Sequence, residues 1–317
     1  MELWPSSLPF ISKKLEHSSV NATSPLSLPL PLIVSFFNQK GGVGKTTHLF
    51  HFASFLSLEQ KKKVLCLDMD PQGNLSSLWQ QNKYENQKGF LTLMMEALPE
   101  INKMGNKNIP WERYVYSFFS SKNVENNILD CLESDPNLTS FELMVASLQF
   151  PKQLVLKNFL EKNKSFFSNY DIILIDCPPT LGLLSLNALL ASQYIIVPFR
   201  PDPFSYQGIV ALEESLELLR SMKVFNVPTV LGAIPNLVSL RRKQEKLMLD
   251  KITFLLQNYY PEILIAKSLP NVSWASPLES LKGKDLLKIK EWRENTYHPF
   301  LEKIDCDLNN RMKELSN

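Results

Sequence analysis

Little in this chain of 317 residues points to a covalent frame or a membrane span. Its four cysteines, Cys66, Cys131, Cys177 and Cys306, are scattered and form no Cys-x-x-Cys pair. That argues against a disulfide scaffold and a zinc site and fits a reducing cytosol. No uninterrupted apolar run of about eighteen residues occurs, so no spanning helix is expected. A signal peptide is not expected either, because Leu26 to Val34 is broken by proline and leads into a strand. An excess of one charge is lacking as well. With a formal net charge of +2 and a pI near 8.2, any nucleic-acid contact has to come from a local patch. His48 and His51 stand i, i+3 on a prospective helix without a third ligand, which favours packing or solvent contact over a metal site.

With 44% apolar residues the chain is able to bury one sizeable core. The reading is a single domain over residues 32–317, preceded by a Pro/Ser-rich flexible extension over residues 1–31. Pro5, Pro9, Pro25, Pro29 and Pro31 oppose a helix in that extension. A divergent segment, residues 80–127, interleaves Lys103 and Lys107 with Trp111, Tyr114, Tyr116, Phe118 and Phe119. Such a pattern suits nucleic-acid or partner contact, but rings of this kind are more often core, and that reading is preferred. The final stretch, Leu301 to Asn317, mixes acids with apolar residues and lacks a basic, bulky face for a membrane surface.

The informative stretch is Asn38-Gln-Lys-Gly-Gly-Val-Gly-Lys-Thr-Thr47. Gly41, Gly42, Val43 and Gly44 let backbone N–H groups curl around phosphate oxygens, Lys45 reaches the outer phosphates, and the Thr46 hydroxyl faces Mg²⁺, with Thr47 beside it. The apolar run Leu32 to Phe37 before the loop and the helical spacing of His48 to Leu58 after it supply the required strand, loop and helix. Asp176 closes the apolar run Ile172-Ile-Leu-Ile, which puts a carboxylate at the C-terminal edge of a parallel sheet beside the loop. Asp68 and Asp70 follow another apolar run, where i and i+2 are able to share a direction.

The paired lysines, Lys40 and Lys45, resemble the ParA/MinD family of deviant Walker-A ATPases, nearer to ParA/Soj partition proteins than to MinD. Three further stretches carry the resemblance: Val64-Leu-Cys-Leu-Asp-Met-Asp-Pro-Gln-Gly-Asn74, Tyr170-Asp-Ile-Ile-Leu-Ile-Asp-Cys-Pro-Pro-Thr-Leu-Gly182, and Ser192 to Pro198 with Tyr206-Gln-Gly208. The resemblance implies an α/β P-loop NTPase fold, a mostly parallel twisted sheet with helices on both faces. It also implies a cytoplasmic, slow ATPase with ATP and Mg²⁺ as cofactors, dimerising on ATP. Asp70 would position the attacking water, Asp68 and Asp176 would support the metal with Thr46, and Lys40 would cross the two-fold interface to the partner's phosphates.

Further along, Ile209 to Met222 and Arg241 to Tyr259 have helical spacing, and Val230 to Asn236 reads as a strand ending in a turn. By the resemblance, Pro235 and Asn236 contact adenine, and Arg241, Arg242 and Lys243 bind DNA phosphates without sequence preference. A solvated helix face is the other reading of that charge run. At Ser268 to Pro277 the chain has Ser273 or Trp274 where the family usually carries an arginine; Lys267, Lys282, Lys284 and Lys288 are nearby positive charges. The implied role is plasmid or chromosome partition, with a ParB-like centromere-binding partner. A positioning ATPase on a protein scaffold and a nucleotide-dependent regulator of plasmid gene expression are the alternatives.

Overall fold

The computed structural model describes residues 31–78, 88–101, 109–118, 128–148, 150–223, 226–239, 241–267 and 284–316. The N-terminal extension up to residue 30, parts of the 80–127 segment including Lys103, Lys107 and Phe119, and the stretch Ser268 to Pro277 lie outside the described residues.

In chain order the first half builds β1 (Leu32–Phe36), α1 (Lys45–Ser54), β2 (Val64–Asp68), α2 (Phe90–Ile101), β3 (Val115–Ser117), β4 (Leu129–Leu132), α3 (Phe141–Met144), α4 (Val155–Lys162) and α5 (Lys164–Phe167). The second half builds β5 (Ile172–Asp176), α6 (Leu183–Ala191), β6 (Tyr194–Phe199), α7 (Pro203–Ser221), β7 (Thr229–Pro235), α8 (Lys243–Tyr259), β8 (Leu264–Ile265) and α9 (Lys284–Ser316). The sheet runs β3-β4-β2-β5-β1-β6-β7-β8, parallel throughout except for the β3/β4 pair. This is the α/β P-loop NTPase arrangement, a mostly parallel sheet flanked by helices.

Strands β1, β2 and β5 are buried at every position, which is why each reads as a continuous apolar run rather than an alternating one. Alternation still sorts the side chains. Leu32, Val34 and Phe36 pack with α1 and α9, while Ile33 packs with α4, α6, α7 and α8 on the other face. Strand β1 lies between β5 and β6, so the chain leaves β1 where the strand order reverses. That crevice, at the C-terminal edge of the sheet, is where open α/β sheets hold ligands.

The helices begin where local chemistry starts them. Asp202 caps α7 by accepting from Ser205 N at 2.9 Å, and Pro203 follows at the first helical position. Helix α1 continues into a π-helical segment over Phe55–Glu59. The aromatic residues of the divergent segment that are described belong to the core: Tyr114 and Tyr116 are buried, and Trp111 stacks on Phe166 at 3.8 Å between ring centroids. Among the described residues, no helix is long and apolar enough to cross a membrane.

Helix α9 seats its face of Tyr297, Phe300, Leu301 and Ile304 against the sheet. The seat needs Gly232 in β7, since a Cβ there would lie 2.2 Å from the Phe300 ring and 2.6 Å from Leu264 O. Gly232→Ala is therefore expected to lower stability by about 1–3 kcal/mol through overpacking. Urea denaturation checks this; an unchanged midpoint would mean that α9 does not bear on β7.

Candidate functional site

The loop after β1 turns by means of left-handed glycines, Gly42 at φ +70° and Gly44 at φ +95°. Gly44 stands at the N-terminus of α1, and His48 N donates to its carbonyl at 2.9 Å. The first turn of α1 therefore presents free N–H groups and the positive end of the helix dipole, the ordinary conditions for binding an anion. Gly41, Gly42, Gly44, Lys45, Thr46 and Thr47 line a cavity of about 470 Å³, whose other walls include Phe50, His51, Asp70, Gln72, Asn74, Leu78 and Pro179. Val43 faces inward and is fully buried.

Lys45 is nearly buried and its Nζ donates to Lys40 O at 3.1 Å. Burial lowers its pKa, opposed by the negative charges of Asp176 and Asp70 and by Cys177. Asp176, fully buried at the end of β5, accepts from Thr46 Oγ1 at 2.6 Å through Oδ2. Its Oδ1 has no hydrogen-bond partner among the described residues. Burial drives the Asp176 carboxyl well above the usual range and Asp68 adds repulsion, while Thr46 and Lys45 pull the other way. An open carboxylate oxygen next to a threonine hydroxyl, with Asp70 on the cavity wall, is a hard-oxygen donor set that fits Mg²⁺. Among the described residues no cluster of three or more His, Cys, Asp or Glu forms a ready cage. A cation there would share its coordination with phosphate and water, the usual habit of Mg²⁺.

The two acids of the β2 loop part company. Asp68 ends the strand and Asp70 lies beyond it in the loop, so they do not act as neighbours on one strand face. Asp68 accepts from Asp70 N at 3.1 Å through Oδ1, and from Ser76 N at 2.8 Å and Ser76 Oγ at 2.6 Å through Oδ2. Both of its oxygens thus hold the loop rather than facing the cavity, and burial lifts its pKa to about 6. Ser134 completes the clamp: its N donates to Ser76 Oγ at 2.7 Å and its Oγ to Asp70 O at 2.6 Å. The sequence reading missed Ser76 and Ser134, which bear no motif and lie far apart in the chain. What the clamp leaves on the cavity wall is Asp70, whose Oδ1 accepts from Gln72 N at 3.0 Å.

Neither Pro235 nor Asn236 lines the cavity, which departs from the adenine contact expected of them. Pro235 ends β7 inside the sheet. Asn236 is buried, and its Nδ2 donates to Val43 O at 2.9 Å. A Cβ at Gly44 would lie 2.2 Å from that nitrogen, so the amide occupies the space a side chain would need.

Lys40 points away from the cavity. Its ammonium pairs with Asp202 of the same chain and lies 5.6 Å from the Phe204 ring centroid, while its backbone N donates to Asn38 Oδ1 at 3.0 Å. Burial raises the Asp202 carboxyl, but Lys40 and the Ser205 amide outweigh it and hold the pKa below the usual range. Arg241, Arg242 and Lys243 stand exposed at the start of α8. Arg242 donates to Glu245 Oε1 at 3.0 Å, and Ser239 N donates to Glu245 Oε2 at 2.8 Å.

Comparison with known proteins agrees with this geometry. A family model described as an AAA domain matches residues 32–227. An uncharacterised protein of Methanocaldococcus jannaschii is 32% identical over 263 residues, 81% of this chain and 91% of that protein. The sporulation initiation inhibitor protein Soj of Bacillus subtilis is 31% identical over 188 residues, 59% of this chain and 66% of Soj. The chromosome partitioning protein ParA of Myxococcus xanthus is 32% identical over 189 residues, 59% of each chain. The chain thus matches about three fifths to two thirds of the length of these two named relatives. Among solved structures, a Borrelia burgdorferi plasmid partition protein bound to AMPPNP superposes with a TM-score of 0.63 at 22% identity, over 87% of this chain and 100% of that one. A Mycobacterium smegmatis cobyrinic acid a,c-diamide synthase with ADP and magnesium gives 0.61 at 21% identity, over 84% and 93%. At these identities the superpositions speak for the fold.

Asp176→Asn keeps an acceptor for Thr46 and removes the buried charge. Added Mg²⁺ with ATP is expected to raise its thermal midpoint less than the parent's. A rise equal to the parent's would show that Asp176 takes no part in holding the cation.

Proposed function

The chain belongs to the ParA/Soj family of partition ATPases, and on that premise we propose that it is a Mg²⁺-dependent ATP switch that pairs two copies of itself on ATP and separates them on hydrolysis. The loop amides, Lys45 and the first turn of α1 would hold the triphosphate. Thr46 and Asp176 would hold Mg²⁺, which neutralises phosphate charge when bound. Asp70, the acid left on the cavity wall, would orient the attacking water, while Asp68 keeps the loop that carries it in shape.

The observation that carries the switch reading is the placement of Lys40. It sits at the front of the phosphate loop yet outside the cavity, and it is tied to Asp202 of its own protomer. A cation so close to a phosphate site, and not directed into it, suits delivery across a two-fold axis, where each copy's lysine reaches the other's phosphates. The added positive charge would then act as an arginine finger does, on charge developing in the transition state. Slow turnover until a second protein stimulates it follows from that design, because the site is complete only in the pair.

The cargo is proposed to be a plasmid or chromosome, bound through non-specific DNA contacts of Arg241, Arg242 and Lys243, with a ParB-like centromere-binding protein as the trigger, in the cytoplasm. Exposed positive charge at the start of α8 supports it. One observation favours a second reading, a positioning switch on a protein scaffold: Glu245 already engages Arg242, which reduces the charge open to phosphates.

Two outcomes test the proposal. Lys40→Ala is expected to keep ATP affinity within about twofold and to lower turnover by about a hundredfold, the scale of losing one transition-state donor. Turnover equal to the parent's would remove the cross-subunit role. In gel shifts with random-sequence duplex DNA, retention is expected with ATP and not with ADP, to weaken steeply with salt, and to vanish when Arg241 and Arg242 are both alanine. A protein that dimerises on ATP but retains no DNA would move the reading to the scaffold.

A further inference from the structure

Helix α9 contributes nothing to the wall of the cavity among the described residues, yet it packs against α1, the helix that follows the phosphate loop. His48, one turn into α1, is completely buried between the loop and α9. Its Nδ1 lies 3.0 Å from Tyr297 Oη, and that hydroxyl also lies 3.3 Å from His48 O. The other edge of the ring faces the loop: a Cβ at Gly44 would lie 3.3 Å from His48 Cδ2 and 2.2 Å from Asn236 Nδ2. His48 and Asn236 together therefore bound the space behind the last glycine, and Asn236 fastens Val43 O.

A second contact lies one turn away on each helix. Arg293 Nε is 3.4 Å from His51 Nδ1, Arg293 also pairs with Glu59 at 3.2 Å, and the Trp292 ring meets the His51 ring edge-on at 5.3 Å. Residues 293 and 297 share one helix face with the apolar anchors Phe300, Leu301 and Ile304. Buried polar groups cost free energy unless they are hydrogen-bonded, and apolar side chains would close this part of the core equally well. What hydrogen bonds add over apolar packing is direction, here the roll of α1 and the seat of the glycine turn.

We propose that Tyr297 is a positioning residue for the phosphate loop, acting through His48 and Asn236, so that nucleotide affinity depends on how α9 is seated. The inference rests on the nucleotide reading above and adds to it a route from the C-terminal helix to the loop. It also accounts for a buried histidine that the hydrolysis chemistry does not use.

The test uses the full chain and titration with Mg-ATP, read by calorimetry and by turnover. Tyr297→Phe keeps the ring and removes the hydroxyl. It is expected to weaken ATP binding about three- to tenfold, the worth of one buried hydrogen bond, with turnover at saturating ATP within about twofold of the parent. Ile304→Val, on the same face of α9 but off the polar route, is expected to lower the thermal midpoint and leave ATP affinity unchanged. In a His48→Gln background, where only the contact with the residue-48 backbone carbonyl is left to the hydroxyl, Tyr297→Phe is expected to weaken affinity less than it does in the parent. Additive losses in that background, or equal losses of affinity from Tyr297→Phe and Ile304→Val, would overturn the proposal, as would unchanged affinity in Tyr297→Phe. A parent protein that binds no ATP would overturn the nucleotide reading and this inference with it.

Discussion

A fully buried carboxylate, bonded through one oxygen and unpartnered at the other among the described residues, is the constraint that the rest of the site answers to. Asp176 cannot hold its charge in that position without nearby help, and each neighbour supplies some. Thr46 donates a hydrogen bond, and Lys45 brings a positive charge that is itself disfavoured by burial. Two groups that are each costly alone thus reduce one another's cost, and the remaining deficit is a place for a further cation. If Asp176 helps to hold Mg²⁺ as proposed, cation binding and stability would be linked through this side chain.

The architecture meets that constraint by placing three strand ends side by side. In register, Phe36 pairs with Asp176 and Asp68 also pairs with Asp176, so β1, β2 and β5 finish at one level of the sheet edge. The phosphate loop leaves the first, the clamp loop leaves the second, and the buried acid closes the third. Adjacent acids at one level repel, and the structure separates their tasks. Asp68 is absorbed by Ser76 and the loop backbone, Asp70 reaches the cavity wall, and Asp176 stays beneath the loop. The loop thus acquires a fixed shape from the hydrogen bonds of Asp68.

What was legible in the sequence is what depends on short segments. The phosphate loop and the apolar strands announce themselves because glycine conformation and continuous burial are local matters, whereas α7, whose spacing is legible from Ile209, begins six residues earlier at Pro203, where Asp202 caps it. The clamp from Ser134 to Ser76 and the contact of Asn236 with Val43 join residues 58 and 193 positions apart, and no local pattern marks them. The adenine contact of Asn236 is what the family resemblance implies, and its packing against Gly44 has no mark in the sequence around it. The face of α9 was hidden for a different reason. Its buried side includes Arg293, Thr296 and Tyr297, and polar residues on a core face blur the 3.6-residue pattern by which a helix is sought.

The Lys40 pair with Asp202 bears on how such a switch would be poised. Both side chains are between one fifth and one third exposed, so the pair belongs with half-solvated ion pairs, whose net worth is at most about 1 kcal/mol. A triphosphate offers Lys40 a greater density of negative charge in a less solvated place, so the exchange of Asp202 for a partner's phosphates would be downhill once two copies meet. Removal of the outer phosphate would return the lysine to Asp202, which has stayed in place because it also caps α7. The resting contact is thus strong enough to give the lysine a defined position in the single protomer and too weak to oppose pairing. A more deeply buried partner for Lys40 would have made the monomer the trap, since breaking a buried pair costs several times as much.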